Sequence, residues 1–376
     1  MANREINILT RASLGKTLFF IPSCFILLLP ANYIWSQEHS KIVDAGQREV
    51  HIPEQIRTVV GLGPGTLRTL VYLGVAEKVI GVEWMEKRSQ SARPYWLACP
   101  QLGSLPVVGP GGPAGINKDP DLEVMLRLKP DVIFVSYMEI ENADKLQARL
   151  NIPVVLLSGG GTLGDFLTSL GSALFVAGKV LRTEKRAKEI MDFIEMTKTD
   201  IIQRSSRVNG YPKPSTYVGC IGFKGLHGIE SSEANYPPFV WTHARTYTHQ
   251  PNEIGHLTVD KELILKWDPD IIFIDASGLR VLRDDYAKKT DYYKGLRAFQ
   301  NSDVYVLFPL NTFAVNAGNA LVNAYAVGKI LYPLSFNDID LPAKADEIYK
   351  FLVGKPVYKE MERCWGTLGR CLHLEE

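Results

Sequence analysis

Four of the seven histidines, His227, His243, His249 and His256, fall in one stretch, FKGLHGIESSEANYPPFVWTHARTYTHQPNEIGH, which runs from Phe223 to His256. Imidazole nitrogens ligate transition metals and haem iron. The same stretch carries Tyr236, Phe239, Trp241 and Tyr247, whose ring faces can pack on a planar or catechol-bearing ligand. Lys224 and Arg245 supply charge to an anionic one. A single histidine is more often hydrogen-bonded or solvated than ligating. A connection this long and this aromatic, however, is uncommon between strands unless it binds something. His227 and His243 are its metal candidates.

A second concentration is VVGLGPGTLRTL, from Val59 to Leu70, where a strand, a glycine-rich turn and a helix precede Glu83 at the end of VIGVE. The layout is that of a dinucleotide-binding unit. It departs in two places: counted from Gly61, the third glycine position is Thr66, and Pro64 has no N–H to offer a pyrophosphate. The P-loop, G-x-S-x-G, H-E-x-x-H and C-x-x-C patterns do not occur, so the signals for ATP hydrolysis, ester cleavage and zinc hydrolysis are missing.

These residues need a scaffold, and the chain describes one. Its 376 residues, 46% hydrophobic and 22% charged, suffice for two ordinary domains. TVVGL, TLRTLVYLG, KVIGV, DVIFVS, ENADKLQARLN and PVVLLS alternate strand and helix patterns. STYVGCIG, ELILKW, DIIFID, YYKGLRAFQ and DVYVLF do so again after residue 210. Such alternation predicts two Rossmann-like α/β lobes, each with a parallel sheet. Between them the segment 181–207 has no Gly or Pro, and Ile190, Phe193, Ile194 and Ile201 fit one helical stripe. It reads as a rigid interlobe helix.

Each lobe also holds a version of one phrase, DLEVMLRLKPDVIF from Asp121 and DKELILKWDPDIIF from Asp260. Asp121 and Asp260 can cap a short helix, Glu123 and Glu262 suit its first turn, and Pro-Asp ends it before a strand. Leu126 and Leu265 are expected to face inward. The expected organisation is a signal peptide over 1–36, an N-terminal α/β lobe over 37–180, the interlobe helix over 181–207, a C-terminal α/β lobe over 208–340, and a C-terminal helix and tail over 341–376.

The signal peptide rests on Arg4, Arg11 and Lys16 before the apolar run TLFFIPSCFILLL. That run is short for a membrane span. Cys24 lies inside it rather than at its end, which argues against a lipid anchor. Without 1–36 the formal charge moves from +1 to about −1, because Arg4, Arg11, Lys16 and Glu5 leave together. Nothing then attracts nucleic acid. Cys99, Cys220, Cys364 and Cys371 remain, and in an oxidising compartment Cys364 and Cys371 could pair or all four could stay free.

Taken together, IVDAGQREVHIPEQIRTVVGLGPGTLRTLVYLGVAEKVIGVE, DLEVMLRLKPDVIFVS, IPVVLL, KGLHGIESSEANYPPF and KELILKWDPDIIFID resemble the class III extracytoplasmic solute-binding proteins of ABC importers, which deliver ferric siderophores, haem and vitamin B12. The likeness runs from Ile42 to about Phe351. It implies two lobes on one long helix with a ligand cleft between them, no catalysis, no intrinsic cofactor, and a periplasmic monomer. Iron would be present only as part of the transported complex. Partners would be permease subunits in the inner membrane with a separate ATPase. Glu123 and Glu262 would each contact arginines of one permease subunit. Strand-end position and residue type then nominate Gly63, Gly65, Trp84, Arg88, Tyr95 and Tyr137 from lobe one as ligand contacts. Lobe two offers Phe223, Lys224, His227, Tyr236, Phe239, Arg280 and Asn311. A ferric siderophore ranks first among ligands, haem or a corrinoid second, and a bare transition metal third. An extracytoplasmic metal-dependent enzyme using His227, His243 or His256 is the alternative of another class.

Overall fold

Continuous apolar runs such as Val132–Val135 and Ile272–Ile274 mark strands covered on both faces, and both are buried in a computed structural model of the chain. The structure describes residues 39–88, 93–112, 115–158, 166–207, 213–249 and 255–374. The expected signal peptide and Cys24 lie outside the described residues.

Lobe one opens with an antiparallel hairpin of β1 (His39–Val43) and β2 (Glu49–Pro53). Its parallel sheet, in the order β4-β3-β5-β6, is built from β3 (Val59–Leu62), β4 (Val79–Gly81), β5 (Val132–Ser136) and β6 (Val154–Ser158). The helices are α1 (Thr66–Tyr72), α2 (Trp84–Arg88), α3 (Pro94–Ala98), α4 (Leu122–Leu128), α5 (Ile140–Leu150) and α6 (Phe166–Leu181). The long α7 (Glu184–Ser206) follows. Lobe two has β7 (Ser215–Gly219), β8 (Ser231–Ala234), α8 (Pro237–Trp241), β9 (Arg245–Thr246), β10 (Gly255–Thr258), α9 (Lys261–Trp267) and β11 (Ile271–Asp275). It continues through α10 (Leu279–Lys288), α11 (Thr290–Lys294), α12 (Arg297–Gln300), β12 (Val304–Leu307), α13 (Ala317–Leu331), α14 (Leu341–Val353) and α15 (Tyr358–Trp365). Its parallel sheet runs β12-β11-β7-β9.

The predicted stripe of α7 is buried: Ile190, Phe193, Ile194 and Ile201 all enter the core. At 1.5 Å per residue this helix spans about 34 Å, and it packs on α6 of lobe one and on α8 and α13 of lobe two. The C-terminal helices then return to lobe one. Phe351 of α14 stacks on Phe193 with ring centroids 3.9 Å apart, and Arg186 donates to the carbonyls of both Tyr72 and Phe351. One hydrophobic cluster consequently holds Leu70, Tyr72 and Tyr95 together with Leu321, Tyr325 and Leu352.

Two expectations change, and one choice left open is decided. The stretch from Phe223 to His256 is not an open loop, because β8 and β10 pair as an antiparallel ribbon and α8 and β9 lie between them. The described cysteines are free, Cys371 donating to the Ser302 carbonyl. Leu126 and Leu265 face outward, at 47% and 40% exposure, while Met125 and Ile264 take the inward positions at 0%. Helices of seven residues complete only two turns, so the phase of the buried side is set by the strands beneath rather than by a long stripe.

Candidate functional site

The turn after β3 is the centre of the cleft. Gly63 and Gly65 both adopt positive φ, 83° and 81°, and a methyl group on Gly63 would lie 2.3 Å from the Ser136 carbonyl oxygen. Only glycine lets β3 turn this close to the end of β5. The turn delivers Arg68 on α1 to a cleft lined also by Pro64, Thr69, Tyr137, Ser158 and Ala314. Arg68 is 5% exposed and donates to the Ala314 carbonyl at 3.2 Å. Among the described residues no carboxylate pairs with it. The buried Ser158 hydroxyl, on the same wall, has no hydrogen-bond partner among the described residues. A buried cation and an unsatisfied hydroxyl together suit an anion that presents oxygen atoms.

Ala314 belongs to a lobe-two loop that crosses to lobe one. Phe313 lies beside Gly112, and Tyr72 donates to the Asn316 side chain at 3.4 Å. Phe313 and Ala314 have φ of 58° and 71°, Tyr137 60°, Cys220 66° and Lys224 53°. These positive-φ residues all follow carboxyl ends of β5, β7 or β12, where backbone strain and binding sites tend to coincide. On lobe two a methyl added at Gly222 would stand 3.5 Å from the Asn311 carbonyl, so the loops after β7 and β12 meet.

Behind the glycine turn, Glu83 accepts from the Gly63 N–H at 3.1 Å. Burial pushes its carboxyl up to about 7, the Gly63 N–H works against that shift, and the Glu86 charge adds to it. Arg93 and Tyr95 both donate to Glu86, forming a buried network.

The nominated residues separate into groups. Gly65 and Tyr137 line the cleft, and Gly63 lines the neighbouring pocket beside Glu83. Trp84 and Arg88 form an exposed pair on α2, the guanidinium 5.1 Å from the ring, and Lys224 sits 5.3 Å from the Phe223 ring. Phe223 in turn stacks on His256 at 4.3 Å. Tyr95, Tyr236 and Phe239 are core residues at 0%, 1% and 2% exposure, because α3 packs against α1 and α14, and α8 against α7 and α13. Arg280 is exposed on α10 and pairs with Asp284. His227 and His243 do not converge. His227 Nε2 donates to the Phe223 carbonyl beyond the carboxyl end of β7, whereas His243 precedes β9 beside that strand's amino end. Among the described residues no group of three or more His, Cys, Asp or Glu is placed to hold a metal. The sequence reading missed Arg68, Ser158 and the 313–315 loop. The spacing of Arg68, one helical turn after Gly65, was the available signal.

A model of the periplasmic binding protein family matches residues 59–309. The chain belongs to this family. It is 24% identical over 332 residues to the molybdate-binding protein MolA of Haemophilus influenzae, covering 82% of this chain and 89% of that protein. It is also 24% identical over 194 residues to the Fe(3+)-citrate-binding protein YfmC of Bacillus subtilis, covering 51% and 58%. A periplasmic solute binding protein from Veillonella parvula superposes with a TM-score of 0.68 at 19% identity, covering 87% of this chain and 97% of that one. The protein is thus a periplasmic solute-binding protein of an ABC transporter, of the class III two-lobed kind, and its relatives bind rather than catalyse. Among the described residues no helix is long and apolar enough to cross a membrane.

Proposed function

We propose that the interlobe cleft captures an anionic, oxygen-presenting metal species, and within that class an iron chelate of the ferric siderophore kind, for delivery to an inner-membrane permease with a separate ATPase. The observation supporting this reading is a ring paired with a cation on each lobe, Arg88 with Trp84 and Lys224 with Phe223, together with a buried Arg68 that forms no ion pair among the described residues. A chelate has planar groups for the rings and charge for the cations. The protein acts as a monomer with no resident cofactor, and iron arrives only with its chelate. A bare oxyanion is the second reading, favoured by Ser158 beside Arg68 and by the molybdate-binding relative.

A tryptophan-fluorescence titration of the purified protein tests both. The panel is a ferric catecholate siderophore, ferric citrate, hemin, cobalamin, molybdate and free divalent metals. Saturation at one equivalent by an iron chelate, weakened about ten-fold or more by Arg68→Ala, is the expected result. Saturation by molybdate with the chelates silent would move the ligand to the bare oxyanion. Tight binding of a cation, indifferent to Arg68, would sink the anion reading altogether.

A further inference from the structure

The repeated phrase has seven identities between its copies, and the structure accounts for five. Asp121 and Asp260 cap their helices, accepting from Val124 N at 3.1 Å and Glu262 N at 2.7 Å. Pro130 and Pro269 are buried where each helix ends. Asp131 accepts from the backbone N–H groups of Arg57 and Thr58, and Asp270 from that of Ser215, so each clamps the start of the neighbouring strand. The Ile-Phe pairs, Ile133–Phe134 and Ile272–Phe273, are buried strand residues.

The other two identities suit the first helical turn or half-cover the helix, but neither role explains why they stay at the surface. Glu123 and Glu262 are exposed, with no side-chain partner among the described residues, and Leu126 and Leu265 are exposed three residues later on the same helix face. A basic residue follows each leucine, Arg127 and Lys266, also exposed. A leucine left half exposed twice at one register, beside a glutamate left unpaired twice, makes a composite patch with an acidic and an apolar half.

We propose that this Glu–Leu pair, not the glutamate alone, is the unit that docks on the permease, and that each permease subunit presents a basic side chain set beside an apolar socket for the leucine. The inference rests on the transporter reading. Its ground is the duplication: a partner with two equivalent subunits requires one patch shown twice, and the acidic half requires a basic counterpart. The leucine supplies contact that salt does not screen.

The test uses the cognate permease–ATPase complex in nanodiscs, with empty nanodiscs as control, and compares wild type, Glu123→Ala with Glu262→Ala, and Leu126→Ser with Leu265→Ser. The leucine variant should keep its melting temperature and its affinity for the ligand found by titration. It should lose about ten-fold or more in nanodisc binding, with its residual binding more sensitive to salt than that of wild type. Leucine variants that bind like wild type while the glutamate variant does not would overturn the inference and leave the glutamate contact standing. Wild type that binds loaded and empty nanodiscs alike would overturn the docking reading and this inference together.

Discussion

At the scale of single residues, the site depends on charges held where water is scarce. Glu83 illustrates the consequence for pH. Folding raises its pKa from 4.5 to about 7, chiefly through burial, so the native chain binds more protons than the unfolded one between those values. The stabilisation is fully present below the unfolded pKa and is lost as pH rises through about 7. Buried Glu233, raised to about 7, and Asp275, raised to about 6, act in the same direction. Thermal melts should therefore show stability falling between about pH 5 and pH 8, with Glu83 contributing on the order of 3 kcal/mol. Glu83→Gln should flatten that slope. Because Gly63 carries the Glu83 hydrogen bond into the cleft wall, an anionic ligand should also bind more weakly above pH 7 in wild type than in the variant. A pH-independent affinity in wild type would show that this charge does not reach the ligand. Glu83 was visible in the sequence only as a false dinucleotide signal, since pattern matching reports residue type and spacing but not burial. Arg68 was missed for the same reason, an arginine in a short helix ordinarily being a solvated one.

At the scale of elements, the repeated helix–turn–strand was legible because most of its constraints are local. A capping aspartate, a proline stop and an apolar strand follow one another within a few residues, and each acts over that distance. What the sequence misplaced was the helix phase, which the underlying strands impose and seven residues do not record. The Pro-Asp aspartates show the structural half of the repeat most directly. Asp270→Ala would leave the Ser215 N–H and hydroxyl without their acceptor at the start of β7. The expected cost is about 1 to 3 kcal/mol in urea unfolding, with nanodisc binding unchanged in the protein that remains folded. Normal stability in that variant would remove the structural explanation for the shared aspartate. The long histidine stretch was read as a binding loop between strands, and its antiparallel ribbon was hidden. SSEA and GHLT pair across twenty residues of intervening chain, and neither strand carries the apolar alternation that usually announces one.

At the scale of the molecule, the two lobes and the connecting helix were readable from strand–helix alternation and from the uninterrupted 181–207 segment. The return of the C-terminal helices to lobe one was not, because packing between elements far apart in sequence leaves no periodic trace. That return has a mechanical consequence. A bilobal protein joined only by a strut could unfold one lobe at a time, but here Leu321, Tyr325 and Leu352 share a hydrophobic cluster with Leu70, Tyr72 and Tyr95. Arg186 further ties α7 to both α1 and α14. The lobes should therefore unfold together. Single-tryptophan versions reporting from Trp96 on lobe one and from Trp267 on lobe two should give coincident urea transitions. Leu321→Ala, which opens a cavity in the shared cluster, should shift both transitions by the same 2 to 5 kcal/mol, about the usual cost of a buried leucine. Two separated transitions, or a shift confined to Trp267, would mean that the lobes are coupled only by α7. Coincident ones would mean that closure around a ligand works against a common core, so that the cleft is largely formed before the ligand arrives and the docking patches on α4 and α9 keep their spacing whether it is present or not.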